Sequence, residues 1–310
     1  MKIKLLSVLM ITVLLLSTLL SSCVNKVENV PTNEDVPENV SAPFEFTVEN
    51  YPKMGGSLAN LPLGEAVTAT VLGIDRMTAS EMIVFEGSTT DNYKALVDSE
   101  FDIILAYEMS EQAKQYCEQK NVELEYVPIG TDALVFIASL ENSVEGLESE
   151  KIKEIYKGNI TNWLEVGGEE HPIIAYQRNK DSGSQTLFDK LLNLGDELME
   201  APQDVKIGSM IGLLEAVAQY ENSKDALGYT VYYYLTNMEA DKLSTSKLLC
   251  VDGVYPTNET IASGEYPYVN DFYVVIRKDA AEDSPERILY NWIISEQGKE
   301  LARRENYVVK

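Results

Sequence analysis

Short apolar runs recur along this chain, each followed by a stretch with helical spacing, and this alternation constrains the fold more than any other feature. Phe101–Ala106, Leu134–Ala138, Ile173–Tyr176, Ala226–Tyr229 and Phe272–Ile276 read as buried strands. Between and after them, Ser110–Lys120, Glu148–Tyr156, Ser184–Leu192, Met210–Tyr220 and Ser284–Ile294 read as helices. Ser110 is placed to cap the first of these, and Ile152 and Ile155 share the inward face of the second. Strands alternating with helices of this length predict α/β layers with mostly parallel sheets. No segment repeats at a fixed period, so solenoid and propeller architectures are excluded.

The chain has 310 residues, enough for two domains and a sizeable core. Lys and Arg number 25 against 50 Asp and Glu, a formal net charge of −25. So acidic a chain has no broad basic face for nucleic acid or an anionic membrane. The single histidine, His171, argues against His-dependent triads and multi-His metal sites. Three cysteines, Cys23, Cys117 and Cys250, are too few for a disulfide scaffold or a zinc ribbon. Cys117 and Cys250 read as buried thiols, with a bridge between them left open by an exported context. No cofactor or metal is expected.

The first 22 residues read as a secretory signal. Lys2 and Lys4 precede an apolar run from Leu5 to Leu20, slightly short of the roughly 20 apolar residues a membrane span needs. Leu20-Ser21-Ser22-Cys23 then resembles the bacterial lipobox, which makes Cys23 a lipidated N-terminus. Residues 23–43, rich in Asn, Glu, Val and Pro without strand or helix period, read as a flexible tether.

In α/β sheets ligands sit where strands feed helix N-termini. Three such joints are rich in small polar residues: Gly55-Gly56-Ser57-Leu58, Gly87-Ser88-Thr89-Thr90 after Met82–Phe85, and Arg178–Ser184 after the Ile173 strand. Each offers backbone N–H groups, hydroxyls and a positive helix end, the ingredients of an anion site. Arg178 adds a planar charged fork suited to tetrahedral oxyanions. Taken singly, each loop is equally well a turn and cap, and Arg178 a surface ion-pair partner.

Arg178 with Ser182-Gly183-Ser184, in the pattern R-x-x-x-S-G-[ST], resembles the phosphate-binding proteins of bacterial phosphate ABC importers, the PstS-like family. Pro128–Val135, Ile155–Trp163 followed by Glu165–Gly168, and Ala226–Tyr229 match further motifs of that family in order. The resemblance runs over roughly residues 45 to 305. It implies an α/β, two-lobed periplasmic-binding-protein-like (type II) fold, with a mixed sheet and flanking helices in each lobe and a hinge of two crossovers. Residues 44–133 with 253–310 would form the first lobe and 134–252 the second.

Carried over by position, the resemblance makes Arg178, Ser182, Gly183 and Ser184 second-lobe ligands and Ser57 and Leu58 the first loop. Thr90 takes the first-lobe hydroxyl, with Thr89 as the alternative register. Two departures stand out. Leu58 replaces a usual threonine, leaving only a backbone N–H. Tyr107 stands where the family has an aspartate that accepts the proton of bound phosphate, with Glu108 one step on. Strand alternation favours Tyr107 as the residue in the cleft.

The reading is therefore a lipid-anchored, extracytoplasmic solute-binding protein that captures phosphate or a related oxyanion for an ABC permease and ATPase. It performs no chemistry. An anion-sensing or adhesion lipoprotein on the same fold is the alternative. A Ser–Lys hydrolase built on Lys180 with Ser182 or Ser184 lacks a supporting signature. The aromatic cluster of Tyr229 and Tyr232–Tyr234 is expected to pack in the core or line the cleft, since no basic residues accompany it.

Overall fold

The computed structural model describes residues 45–219 and 223–310, without the side chains of Gln203, Gln219 and Ser223. The signal segment, Cys23 and the tether lie outside the described residues.

The chain opens with β1 (Met54–Gly56), α1 (Leu61–Leu72) and α2 (Arg76–Ser80), then α3 (Thr89–Val97), β2 (Ile103–Ala106) and α4 (Glu111–Lys120). A long strand, β3 (Leu124–Ser139), follows, then β4 (Gly146–Leu147), α5 (Ser149–Tyr156), β5 (Ile174–Ala175) and β6 (Gln177–Arg178). Next come α6 (Gly183–Leu192), β7 (Lys206–Ile207), α7 (Met210–Gln219), β8 (Ala226–Val231), β9 (Ser246–Leu248) and β10 (Cys250–Val251). The chain closes with α8 (Asn258–Ser263), β11 (Val269–Arg277), α9 (Pro285–Ile294), α10 (Glu296–Arg304) and β12 (Val308–Val309). This is the expected α/β alternation with a mixed sheet and flanking helices.

The helix starts follow their caps. Ser88, Ser110, Ser182, Ser284 and Ser295 each sit in extended backbone and accept an N–H from the first turn that follows. Each hydroxyl satisfies a donor that has no partner inside the helix.

The expectation of a mostly parallel sheet is corrected. The main sheet runs β1-β2-β11-β3-β8-β5, and its longest pairings, β11 with β3 and β3 with β8, are antiparallel. Only the outer pairs, β1 with β2 and β5 with β8, are parallel. The expected strand at Met82–Phe85 reduces to a single parallel bridge from Val84 to Gly55, on the edge of β1 away from β2, with Val84 N–H donating to Met54 O at 3.0 Å and Gly56 N–H to Val84 O at 3.2 Å.

Strand β3 was expected only over Leu134–Ala138 and is much longer. Pro128, which has no N–H to give, is accommodated by a bulge: Gly130 pairs with Phe272 and Pro128 with Tyr273, leaving Ile129 unpaired. The partner of β3 then changes between Ala133 and Leu134. Residues up to Ala133 pair with β11, and residues from Leu134 pair with β8 and β9. The chain returns through a turn at Asp252-Gly253, both with positive φ.

Strand alternation splits the core around β2 and β11. Ile103, Leu105 and Phe272 join the large cluster that continues through Phe136, Tyr156, Phe188 and Tyr229. Ile104, Ala106 and Val275 face the other side and pack on Tyr93, Leu96 and Ala113. Tyr229, Tyr233 and Tyr234 are buried in the core as expected, with Tyr232 partly exposed. Cys117 and Cys250 are free and half-buried, so the two thiols are not bridged.

Candidate functional site

Chain segments spread between Ser57 and Val231 meet at one cleft of about 500 Å³. Its walls include Ser57 and Leu58 after β1, Thr89 at the start of α3, Tyr107 after β2, and Arg178, Ser182, Gly183 and Ser184 around β6 and α6. The first residues of α3 and of α6 both line it. Two positive helix ends, each with first-turn N–H groups that lack intrahelical acceptors, therefore face a shared space.

Close backbone packing builds the first wall. A Cβ on Gly56 would lie 2.2 Å from the carbonyl oxygen of Leu105, so only glycine lets β1 pass this close to β2. Asn92 donates to the carbonyls of Gly56 and Ser88 at 3.0 Å each, tying the Ser57 loop to the start of α3. Ser57 Oγ then lies 3.0 Å from Thr89 Oγ1. Leu58 is half-buried and packs against the core, so it can offer the cleft only its backbone.

Thr90 is placed elsewhere, which corrects the preferred register. It is fully buried, with its hydroxyl 2.8 Å from Ser110 Oγ, on the face of α3 turned toward α4. Successive helical residues point about 100° apart, so only one of Thr89 and Thr90 can face the cleft. It is Thr89.

Arg178 dominates the second wall. It is only 8% exposed. Its Nε donates to Ile207 O at 2.9 Å, Nη2 to Gly208 O at 3.2 Å and Nη1 to Ser184 Oγ at 3.2 Å. Its backbone N–H is shared between Gln185 Oε1 and Tyr229 Oη, both at 3.0 Å, and Tyr229 in turn donates to Gln185. Three of five guanidinium N–H groups are thereby used, and two remain for a ligand. Among the described residues Arg178 forms no ion pair with an acid. Burial pushes the guanidinium below the usual arginine range. A buried cation without a counter-charge costs several kcal/mol unless something anionic joins it.

Ser182 caps α6 through Gln185 N–H at 3.3 Å, and Gly183 follows with only partial exposure. Lys180 is exposed, and neither Ser182 nor Ser184 is bonded to it; their hydroxyls serve the helix cap and Arg178. His171 lies between Glu169 and Asp225, and it does not line the cleft.

Tyr107 lines the cleft and Glu108 does not. Glu108 Oε2 is held 2.7 Å from Lys190 Nζ and accepts from Tyr273 Oη at 3.3 Å. The Tyr107 hydroxyl donates to Asp132 Oδ2 at 2.6 Å, inside the protein. Asp132 lies within the Pro128–Val135 motif. Its signal was there: it is the one acid in the run Pro128–Ser139. Its other oxygen accepts from the N–H groups of Ala133, at 2.8 Å, and Tyr233, at 3.1 Å. Desolvation lifts the Asp132 carboxyl to about 6 and pushes the Tyr107 phenol well above its ordinary value.

Glu86, Asp91 and Asp181 stand at the walls, so the cleft does not attract anions through its overall field. Binding must come from local donors at short range. Among the described residues no group of acids, histidines or cysteines could hold a metal, and no helix is long and apolar enough to cross a membrane.

A family model described as the PBP superfamily domain matches residues 69–297. A phosphate-binding protein PstS of Borreliella burgdorferi is 27% identical over 179 residues, covering 57% of this chain and 63% of that protein. A Bacillus subtilis protein of the same name is 24% identical over 260 residues, 84% of this chain and 79% of that one. The chain thus spans just under two thirds of the first relative's length. Among solved structures, a Clostridium perfringens substrate-binding protein with bound phosphate aligns at TM-score 0.67 and 23% identity, over 84% of this chain and 100% of that one. A Vibrio cholerae ABC-type phosphate transport receptor aligns at TM-score 0.62 and 21% identity, with the same coverages. These structural likenesses show a shared fold.

Proposed function

This chain belongs to the PBP superfamily, and we propose that it captures phosphate in the cleft between two lobes and performs no chemistry on it. The observation that carries this reading is Arg178: a buried guanidinium with two donors to spare and no acid partner among the described residues. A doubly charged tetrahedral oxyanion would supply the missing charge and accept from both Arg178 and the N-termini of α3 and α6. That two relatives are named phosphate-binding proteins supports the choice of anion.

In this reading Ser57, Thr89, Ser182 and Ser184 contribute hydroxyls, Leu58 and Gly183 backbone N–H groups, and Tyr107 the wall near β3. The lobes would divide as 44–133 with 253–310 against 134–252, where β3 changes partners and the chain returns. Lipid on Cys23 would hold the protein at the outer face of the cell membrane, and delivery would be to an ABC permease and ATPase. The direct test is calorimetry of the purified protein with phosphate, sulfate, arsenate and small organic anions. Phosphate should bind most tightly; no heat with phosphate would overturn the reading.

A further inference from the structure

The two sides of the cleft also touch away from the loops that face the anion. Lys190 lies in the last turn of α6, seven residues after Gly183. Seven residues make almost two turns, so Gly183 and Lys190 share one face of the helix, about 10 Å apart along its axis. Lys190 Nζ is 2.7 Å from Glu108 Oε2 and donates to Asn270 Oδ1 at 3.0 Å. Both acceptors lie outside residues 134–252, at 82 and 80 positions from Lys190. Among the described residues this is the one ion pair that joins residues 134–252 to the rest of the chain.

Both acceptors are held in place. Glu108 follows Tyr107, whose hydroxyl is fixed on Asp132, and its carboxylate also accepts from Tyr273 Oη. Asn270 is buried, and its amide nitrogen donates to the carbonyl of Asp271, which leaves its oxygen for Lys190. The lysine therefore meets two fixed oxygens and does not chase mobile ones.

Resting on the phosphate reading above and its two lobes, we propose that Lys190 is a positioning residue which, with Glu108 and Asn270, latches α6 across the cleft and slows release of the bound anion. Lys190 does not line the cleft, so it acts on the anion only by holding the walls together. Its bonds exist only while the walls are closed; once they part, the charged ends return to water. The latch thus stabilises the closed arrangement alone, and affinity rises with the fraction of the protein that is closed. The ion pair is partly exposed, at 47% and 27% for its two side chains, and such a pair shifts an equilibrium by at most about fivefold.

A cation near the cleft could instead attract anions from a distance. The two roles make opposite demands on Glu108. If Lys190 steers, Glu108 masks it, and removing that acid speeds association. If Lys190 latches, Glu108 is half of the bond, and removing it speeds release.

The experiment is stopped-flow measurement of phosphate association and release at low salt for wild type, Lys190→Met, Glu108→Gln and the double variant. Both single variants should release phosphate faster, by roughly twofold to fivefold, with association little changed. The double variant should release it no faster than Lys190→Met, because both changes remove one bond. In about 1 M salt, where screening acts within about 3 Å, release from wild type should approach that from the variants. A pair that only supports the fold would lower the melting temperature and leave the release rate alone. Unchanged release in Lys190→Met overturns the proposal, as does Glu108→Gln with faster association and unchanged release. Wild-type protein that binds no phosphate overturns the functional reading itself; that result is read from wild type alone.

Discussion

Gly183 at the start of α6 abuts Thr89 at the start of α3 so closely that a Cβ on residue 183 would lie 2.4 Å from Thr89 Oγ1. Thr89 has little freedom to retreat, being 4% exposed and paired with Ser57 Oγ. The two helix ends can approach only because one of them carries no side chain. Gly183→Ala should therefore hold the walls of the cleft apart and weaken phosphate binding by roughly tenfold or more. Gly183 is not among the positive-φ glycines, so alanine at this helix start costs the fold little. Calorimetry and thermal unfolding of the same variant separate the two effects; unchanged affinity would mean that the helix ends need not meet.

Arg178→Ala should weaken phosphate binding by about 2–5 kcal/mol, since it removes a buried charge that keeps two N–H donors for the anion. Arg178→Lys should rescue little. An ammonium lacks the planar fork that reaches Ile207 O, Gly208 O and Ser184 Oγ at once. Dissociation constants for the two variants check this, and a lysine variant close to wild type would show that charge alone suffices.

Glu108→Gln should leave the phosphate-to-sulfate preference as it is. The carboxylate is 2.7 Å from Lys190 in a pair with side-chain exposures of 47% and 27%, and such partly exposed pairs contribute at most about 1 kcal/mol. Competition between phosphate and sulfate, followed by calorimetry, decides this. A preference that collapses in Glu108→Gln would return the acceptor role to Glu108.

Asp132 should give stability an unusual pH dependence. Its carboxyl rises from 3.8 to about 6 on folding, so the folded state holds this proton more tightly than the unfolded one. Its contribution therefore favours folding as pH falls through about 6 toward 3.8, and the penalty of the buried charge is complete above about 6. Relative to Asp132→Asn, wild type should gain melting temperature between about pH 7 and pH 4. A difference that is flat with pH would place the ionised carboxylate in a better-solvated site than its burial suggests.

Cys23→Ser should release the protein from the membrane fraction, because the Leu20-Ser21-Ser22-Cys23 pattern is the motive for an anchor there. Retention of the variant after a high-salt wash would identify the uncleaved apolar run as the anchor instead.

Local sequence determined much of this protein. The start of α4 was readable from Ser110 because capping is a contact over three residues, and buried strands from apolar runs because burial on both faces leaves no alternation to hide. Arg178 and Ser182-Gly183-Ser184 were readable as one loop for the same reason of proximity. What only tertiary structure decided are relations between segments far apart in the chain. The antiparallel pairing of β3 with β11 joins residues well over a hundred positions apart, and no local pattern records a strand's direction. Thr89 rather than Thr90 faces the cleft because the phase of α3 is set by what its other face packs on, which is α4 through Ser110. Asp132 is tied to Tyr107, 25 positions earlier, and to Tyr233, 101 positions later, through the bulged strand that carries it. A hydrogen bond is directional over about 3 Å, so its existence depends on how the sheet brings three segments together and not on the identity of the residues alone.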